Sequence, residues 1–135
     1  MAYLVDSDWL IDYLEGDPPA VRLLERLADS GLAISIITYM EAYQGVLRSS
    51  DPENAAHRFD ALLRAIRLVS ITTAVARRCA GIREDLRSKG RRVKSRALDL
   101  LIAASAIEHG LTLVTRNAAD YRDIPGLHLS SGGSV

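Results

Sequence analysis

The sequence predicts an α/β fold, a single domain with a mainly parallel central sheet of four or five strands flanked by helices. Short apolar runs alternate with longer helical patterns along the chain, which is the order of a parallel sheet with helical crossovers. The strand runs are apolar at nearly every position, as in strands covered on both faces. A chain of 135 residues with 48% apolar residues is also large enough to form one hydrophobic core.

The first two predicted helices lie between two predicted strands. Residues 3–5 form an apolar strand, and Ser7 or Asp8 can cap the helix that follows. Pro18 begins a second helix, because proline is favoured in the first turn. A glycine ends each of these helices, and the second strand is expected at 32–36.

The middle of the chain predicts two further helices and a strand. Thr38 and Glu41 have the spacing of a capping box, in which a threonine and an acidic residue satisfy the first backbone amides of a helix. Pro52 begins the next helix. A third strand is expected at 68–71.

The last part of the chain carries a basic helix and an apolar one. A threonine pair at 72–73 begins the basic helix, and a polar loop at 90–96 follows it. The apolar helix is expected at 98–109, the fourth strand at 111–114, and a fifth, if there is one, at 127–129. We therefore expect one domain over residues 1–129 and a flexible tail over 130–135.

Composition narrows the class of protein. No apolar run approaches the length of a membrane span, and aspartates interrupt the apolar start of the chain before a signal peptide can form. The single cysteine, Cys79, forms no disulfide framework and is expected to be a small buried side chain. These features predict a cytoplasmic protein with no membrane segment.

The net charge is zero, but the charges are unevenly distributed. Residues 1–17 contain five acidic residues and no basic one. Residues 77–96 contain nine basic and two acidic residues, a net charge of +7. Fifteen of the 17 basic residues in the chain are arginine, which binds phosphate in a two-pronged way.

Several acidic residues follow predicted strands or begin a buried helix. Ligands of parallel α/β sheets bind beyond the carboxyl ends of the strands. Asp6 follows the first strand, Glu41 lies shortly after the second, and Asp120 lies shortly after the fourth. Asp99 is the one charged residue in the first turns of an otherwise apolar helix, where an unpaired carboxylate is costly.

Each acidic residue also has a structural interpretation. Glu41 can complete the capping box, Asp6 can cap a helix, and Asp99 can pair with an arginine. Asp8 and Asp12 are expected to face solvent, although Asp8 is close to Asp6 in sequence. If the acids converge, their oxygen atoms favour Mg²⁺ or Mn²⁺, since the three histidines are scattered and show no zinc spacing.

Four segments, read in order, resemble the PIN-domain ribonucleases that serve as toxins of VapBC-type toxin–antitoxin pairs. The segments are YLVDSDWLID at 3–12, SIITYMEAYQG at 35–45, LDLLIAASA at 98–106 and LVTRNAADY at 113–121. The resemblance implies a metal-dependent endoribonuclease that cleaves RNA phosphodiesters with an activated water and leaves a 5′-phosphate.

The resemblance also assigns roles to individual residues. The acidic metal-site and catalytic positions correspond to Asp6, Glu41, Asp99 and Asp120. Asn117 stands where many relatives have an acid, so either Asn117 or Asp120 completes the metal site. Hydroxyl residues beside the site correspond to Ser35, Thr38 and Thr115.

Basic residues near these acids are predicted to contact RNA phosphates, because an acidic site alone repels RNA. The candidates for this contact are Arg91, Arg92, Lys94, Arg96 and Arg116. Each of them can equally belong to a solvated surface.

The resemblance implies an RNA substrate, a cognate antitoxin protein and a homodimer. An apolar interface is expected on the helix that carries Glu41, from Tyr39, Met40, Tyr43, Val46 and Leu47. An alternative is a degenerate PIN domain that binds RNA or protein without cleavage, since Asn117 and Leu98 depart from the family pattern. A phosphotransfer domain of the haloacid-dehalogenase kind is disfavoured, because no lysine follows the later strands.

Overall fold

Within residues 2–133, five parallel strands form the central sheet, and their spatial order places the first strand in the middle. In this computed structural model, which describes residues 2–133, the order is β3-β2-β1-β4-β5. The strands are β1 (Tyr3–Val5), β2 (Leu32–Ser35), β3 (Arg67–Val69), β4 (Thr112–Val114) and β5 (Leu129–Ser130). The predicted α/β class is confirmed, with five strands and a wholly parallel sheet.

In the described part of the chain, six helices cover the two faces of the sheet. They are α1 (Ser7–Leu14), α2 (Pro18–Ala28), α3 (Ile36–Arg48), α4 (Pro52–Leu63), α5 (Thr73–Ser88) and α6 (Ala97–Glu108). Two short 3-10 helices, Lys94–Arg96 and Ala118–Tyr121, precede α6 and follow β4. Within residues 2–133, none of the helices combines the length and hydrophobicity that a membrane crossing needs.

The sheet separates two hydrophobic cores. Leu4 and Leu113 face the core formed with α5 and α6, whereas Val5 and Val114 face the core formed with α1 to α4. Neighbouring residues of a strand point to opposite faces, so each of these three-residue strands contributes to both cores. Cys79 is buried in α5, as expected, and its burial raises the pKa of the thiol.

Two helices begin directly at the ends of strands, earlier than the sequence predicts. Asp6, not Ser7 or Asp8, is the N-cap of α1, and its carboxylate accepts a hydrogen bond from the Ser7 amide. Ser35 is the N-cap of α3, where its hydroxyl accepts a hydrogen bond from the Thr38 amide at 3.0 Å. The predicted capping box of Thr38 and Glu41 is therefore wrong, because Ser35 already satisfies the amide at the third helical position. Glu41 has no capping role and is available for another.

The remaining differences concern the edges of elements. The third strand begins and ends earlier than the predicted 68–71, and the 90–96 loop ends in a 3-10 turn. The fifth strand lies at Leu129–Ser130 rather than 127–129. Its two residues are in register with Leu113 and Val114 of β4. The sheet thus continues one residue past the expected domain end at residue 129. The predicted flexibility of residues 130–135 stays a prediction, and residues 134 and 135 lie outside the described range.

Candidate active site

The carboxyl ends of β1, β2 and β4 meet at one edge of the sheet, and Asp6 lies at their centre. Asp6 follows β1, which pairs with both neighbouring strands. Its side chain is buried and 6% exposed. One carboxylate oxygen accepts a hydrogen bond from the Ser7 amide, and the other accepts one from the Thr115 hydroxyl, both at 2.8 Å. These two hydrogen bonds fix the Asp6 carboxylate at the sheet edge before any ligand binds.

Glu41 reaches the same place from α3. Burial is the main cause that raises the pKa of Glu41, and the negative charges of Asp6, Asp99 and Asp8 raise it further. A hydrogen bond with the Ser7 side chain opposes this shift. Glu41 therefore lies among three other carboxylates.

Asp99 comes from the opposite face of the sheet, in the first turn of α6. Burial raises the pKa of Asp99 above its ordinary value, and the charges of Asp6 and Asp120 add to the effect. A hydrogen bond with Tyr121 and the positive charge of Arg96 oppose it. The structure thus brings together the three acids from distant segments that sequence reasoning grouped.

Asp8 is a fourth acidic residue beside Asp6, Glu41 and Asp99, although the sequence predicted that it faces solvent. It is half-buried rather than solvent-facing, and burial and the charge of Asp6 raise its pKa. Its carboxylate accepts hydrogen bonds from the Trp9 amide at 2.9 Å and from the Asn117 side-chain amide at 3.4 Å. The signal that could have found it is the D-x-D spacing, which keeps Asp8 in the first turn of the helix that Asp6 caps. We call Asp6, Asp8, Glu41 and Asp99 the acidic cluster.

Tyr121 is a second residue that sequence reasoning missed. Its side chain is 1% exposed, and its hydroxyl lies 3.5 Å from an Asp6 carboxylate oxygen and also hydrogen-bonds to Asp99. Burial, followed by the charges of Asp6 and Asp99, raises the pKa of Tyr121 far above its usual value. The phenol therefore stays protonated and acts as a donor to these carboxylates. Its position directly after Asp120, in the 113–121 segment, is the one hint that the sequence contains.

The other predicted site residues surround the acidic cluster in different ways. Asn117 contacts Asp8, whereas Asp120 is exposed and affects the cluster through its charge on Asp99. Thr115 is fully buried and bonds to Asp6. Ser35 and Thr38 are also fully buried, and their hydroxyls hydrogen-bond to each other at 3.1 Å, which fixes the start of the helix that carries Glu41.

The chemistry of the acidic cluster fits a hard divalent cation. Its donors are carboxylate oxygens, which Mg²⁺ and Mn²⁺ prefer, and a cation would relieve the repulsion that raises the pKa values of Glu41, Asp8 and Asp99. Among residues 2–133, however, no three His, Cys, Asp and Glu side chains are arranged so that they could already hold a metal ion.

A cleft of about 840 Å³ opens beside Asp99 and carries both charge signs. Arg91 and Arg92, two of the predicted RNA contacts, line it together with Asp99 and Asp120. Arg122 also lines it, although no sequence pattern selects that residue. We call this the basic cleft, after its three exposed arginines.

The other three predicted RNA contacts have different surroundings. Arg96 lines the same cleft but forms two hydrogen bonds with the Asp123 carboxylate, at 2.9 and 2.8 Å. Lys94 lies in a separate groove beside Cys79. Arg116 forms an ion pair with Asp12. Of the five predicted contacts, Arg91 and Arg92 are therefore the ones that the structure leaves exposed in the cleft beside Asp99.

Comparison with known proteins gives consistent matches over nearly the whole chain. A family model of the PIN domain matches residues 3–127. The tRNA(fMet)-specific endonuclease VapC of Salmonella typhimurium is 28% identical over 129 residues, covering 96% of this chain and 96% of that protein. Ribonuclease VapC19 of Mycobacterium tuberculosis is 32% identical over 126 residues, covering 92% of this chain and 95% of that protein. Among solved structures, VapBC2 from Rickettsia felis bound to a DNA fragment from its promoter has a TM-score of 0.83 at 28% identity, covering 96% of this chain and 98% of that one.

Proposed function

The chain belongs to the PIN-domain family, and from this membership we propose that it is an endoribonuclease, the toxin of a VapBC-type toxin–antitoxin pair. The observation that carries the proposal is the acidic cluster, in which Asp6, Glu41 and Asp99 converge from three distant segments at one sheet edge. Relatives named as VapC ribonucleases and structural neighbours that are VapBC complexes support the same activity.

Asp6, Glu41 and Asp99 would hold a divalent cation, Mg²⁺ or Mn²⁺. When bound, the cation supplies Lewis acidity that makes a water molecule more acidic and offsets charge at the phosphate. Asp8 and Asn117 flank the site on one side, and Asp120 lies beside Asp99 on the other. We propose that these flanking groups complete the set of oxygen ligands or hold its water molecules.

The protein's own groups orient the reactants. Thr115 and Tyr121 donate hydrogen bonds to Asp6, which leaves the carboxylate fixed in one rotamer. Carboxylate oxygens of the acidic cluster accept hydrogen bonds from the attacking water and direct it at the phosphorus. In-line attack forms a bond from the water oxygen to phosphorus and breaks the bond from phosphorus to the 3′-oxygen. One product then carries a 5′-phosphate, and the other carries a 3′-hydroxyl once its leaving oxygen has taken up a proton. Cys79, a potential nucleophile by type, is buried in α5 and takes no part.

The basic cleft provides the path for the RNA backbone. Arg91, Arg92 and Arg122 are exposed along a cleft that also contains Asp99. Arginine contacts to phosphate give affinity that decreases with salt and that does not depend on sequence. We propose that these residues bring a phosphodiester to the acidic cluster and offset its negative charge.

An apolar strip on α3 is proposed as the homodimer interface. Met40, Tyr43 and Leu47 are 49%, 43% and 63% exposed, and they repeat with helical spacing. Val46, which the sequence placed in the interface, belongs to the core instead. Tyr39 is partly buried, with its ring 5.2 Å from Phe59. Leu47→Glu should convert a dimer into a monomer in light scattering, and an unchanged mass would contradict this interface.

The antitoxin is proposed to bind in two adjoining grooves that lead to the acidic cluster. One groove runs between α1, α3 and α4, and the other reaches Glu41. Both are lined by Ile11, Gly45 and Arg48. A chain segment in these grooves would cover Glu41. Loss of co-purification with the product of an adjacent small open reading frame in Arg48→Glu would support this placement, and undiminished co-purification would contradict it.

A second candidate function is a PIN domain that binds RNA without cutting it. Asn117 in place of the acid found in many relatives favours it, as does the lack of three acids already arranged for a metal among residues 2–133. Cleavage assays with RNA separate the two functions. An endoribonuclease cleaves with Mg²⁺ or Mn²⁺ and stops in EDTA, whereas the non-cleaving domain retains RNA binding and yields no product in either condition.

A further inference from the structure

We propose that Arg116 is a positioning residue of the active site, which holds the segment after β4 against the start of α1. The proposal rests on the endoribonuclease function argued above. It differs from the role that the sequence predicts for Arg116, which is contact with an RNA phosphate. The two roles lead to opposite results in a simple set of measurements.

The Arg116 guanidinium is held between two residues of α1. Its central carbon lies 3.8 Å from the centroid of the Trp9 ring, within the range of a cation–π contact. One of its terminal nitrogens forms an ion pair with Asp12, and the other lies 3.9 Å from an Asp17 carboxylate oxygen. The flat guanidinium thus stacks on an aromatic face while its edge meets a carboxylate, an arrangement that lysine cannot reproduce.

The residues on either side of Arg116 bind the acidic cluster directly. Thr115 donates its hydroxyl hydrogen to Asp6 at 2.8 Å, and the Asn117 side chain donates to Asp8 at 3.4 Å. The backbone amide of Asn117 also donates a hydrogen bond to the Thr115 hydroxyl at 3.1 Å, which links the two contacts. Because Arg116 lies between them in the chain, fixing its side chain on α1 fixes both hydrogen bonds.

The segment around Gly132, near the C-terminus, also contacts Trp9. Gly132 is buried, and a Cβ at that position would lie 2.9 Å from the Trp9 ring and 3.1 Å from Leu23. Arg26 donates a hydrogen bond to the Gly132 carbonyl at 3.0 Å, which holds the segment in place. Trp9 therefore contacts both Gly132 and Arg116. Its indole nitrogen is buried without a hydrogen-bond partner among the described residues, so packing fixes the ring.

Arg116→Ala and Arg116→Lys test the proposal, with Arg78→Ala as the matched control. Arg78 also forms an ion pair, with Glu108 at 2.6 Å, but lies on α5 away from the acidic cluster. A positioning role predicts that Arg116→Ala lowers kcat for RNA cleavage by roughly 10–100-fold, as for other residues that orient ligands, with KM and the salt dependence of RNA binding unchanged. Arg116→Lys should recover only part of the loss. A phosphate contact instead predicts a raised KM and a salt slope reduced by about one, and that result would overturn the proposal.

Two readouts do not depend on cleavage. Trp9 is the only tryptophan in the chain, so its fluorescence should shift in both Arg116 variants and stay constant in Arg78→Ala. Amide hydrogen exchange of residues 115 and 117 should become faster in Arg116→Ala while the amides of α5 and α6 keep wild-type rates. If wild type cleaves no RNA but these shifts occur, the proposed function fails and the positioning contact stands. If exchange at 115–117 is unchanged, the positioning role is wrong whatever the activity.

Discussion

The acidic cluster and the basic cleft lie side by side, but different parts of the fold hold them. Asp6 follows the central strand, Glu41 lies in the second turn of α3, and Asp99 lies in the first turn of α6; both helices begin at the same sheet edge. The arginines of the cleft lie on the 90–96 loop and directly after the 3-10 helix that follows β4, and one of them, Arg96, is paired with Asp123. Backbone topology therefore decides which acids meet, whereas individual ion pairs decide which arginines remain available.

The largest expected effect comes from breaking the acidic cluster. Asp6→Asn and Asp99→Asn should each lower RNA cleavage at least about 100-fold, which exceeds the usual cost of losing a residue that only orients a metal ligand. Steady-state cleavage with Mg²⁺ measures the effect. Asp60→Asn, an exposed aspartate on α4, is the matched control. Wild-type turnover in either cluster variant would contradict the proposed role of the carboxylates.

Tyr121→Phe should have the next largest effect. It removes only the hydroxyl that donates to Asp6 and Asp99, so both carboxylates gain freedom while the ring stays in the core. We expect cleavage and divalent-metal affinity to fall by roughly 10-fold. Tyr13→Phe, which changes a ring packed against the other core, controls for the removal of a phenol hydroxyl. Equal decreases in the two variants would assign the effect to general destabilisation.

Mutations in the basic cleft should change the affinity for RNA rather than the rate of the cleavage step. Arg91→Ala combined with Arg92→Ala should weaken RNA binding, with a salt slope smaller by about two, one for each phosphate that is no longer neutralised. Arg22→Ala combined with Arg64→Ala removes the same charge from exposed sites on α2 and at the end of α4. The slope is measured from binding isotherms at several salt concentrations. A slope equal to that of the wild type would show that these arginines bind no phosphate.

The smallest predicted effect concerns pH and stability. Burial raises the pKa of Asp99, and nearby carboxylates raise it further, so the folded chain binds this proton more tightly than the unfolded chain does. The metal-free protein therefore loses stability as pH rises from the ordinary carboxyl range through the raised pKa, and the loss persists above it. In EDTA, Asp99→Asn should raise Tm near pH 7 and change it less near about pH 5.

Thermal unfolding of wild type and Asp99→Asn at the two pH values measures this difference. Mg²⁺ should raise the Tm of wild type more than that of Asp99→Asn, because only the complete cluster gains a neutralising cation. A Tm that Asp99→Asn lowers by the same amount at both pH values would show that Asp99 is not held among like charges.

The acids could be located from the sequence because the alternation of apolar runs and helices fixes where strands end. That alternation placed Asp6, Glu41 and Asp120 after strands, and the resemblance to PIN domains singled out Asp6, Glu41 and Asp99 as the metal-site acids. The sequence-based prediction failed where a local contact decided the outcome. Ser35 caps α3 in place of Thr38, because the strand ends one residue earlier than its apolar run suggests.

Side-chain partners were the part that the sequence did not predict. Nothing in the local sequence of Arg96 or Arg116 distinguishes them from free arginines, but Asp123 and Asp12 bind them from 27 and 104 residues away. Tyr121 was missed for the same reason, since a buried phenol acquires its role only from the carboxylates around it. Long-range pairings of this kind depend on packing that no local pattern contains.

Binding of Mn²⁺ to the RNA-free protein tests the central claim most directly. Titration followed by electron paramagnetic resonance counts bound ions and gives their affinity without any cleavage step. We predict saturable binding to wild type and to Asp60→Asn, and loss of that binding in Asp6→Asn and Asp99→Asn. Mn²⁺ binding of wild-type affinity and stoichiometry in all four proteins would contradict the claim that these distant carboxylates form one cation site.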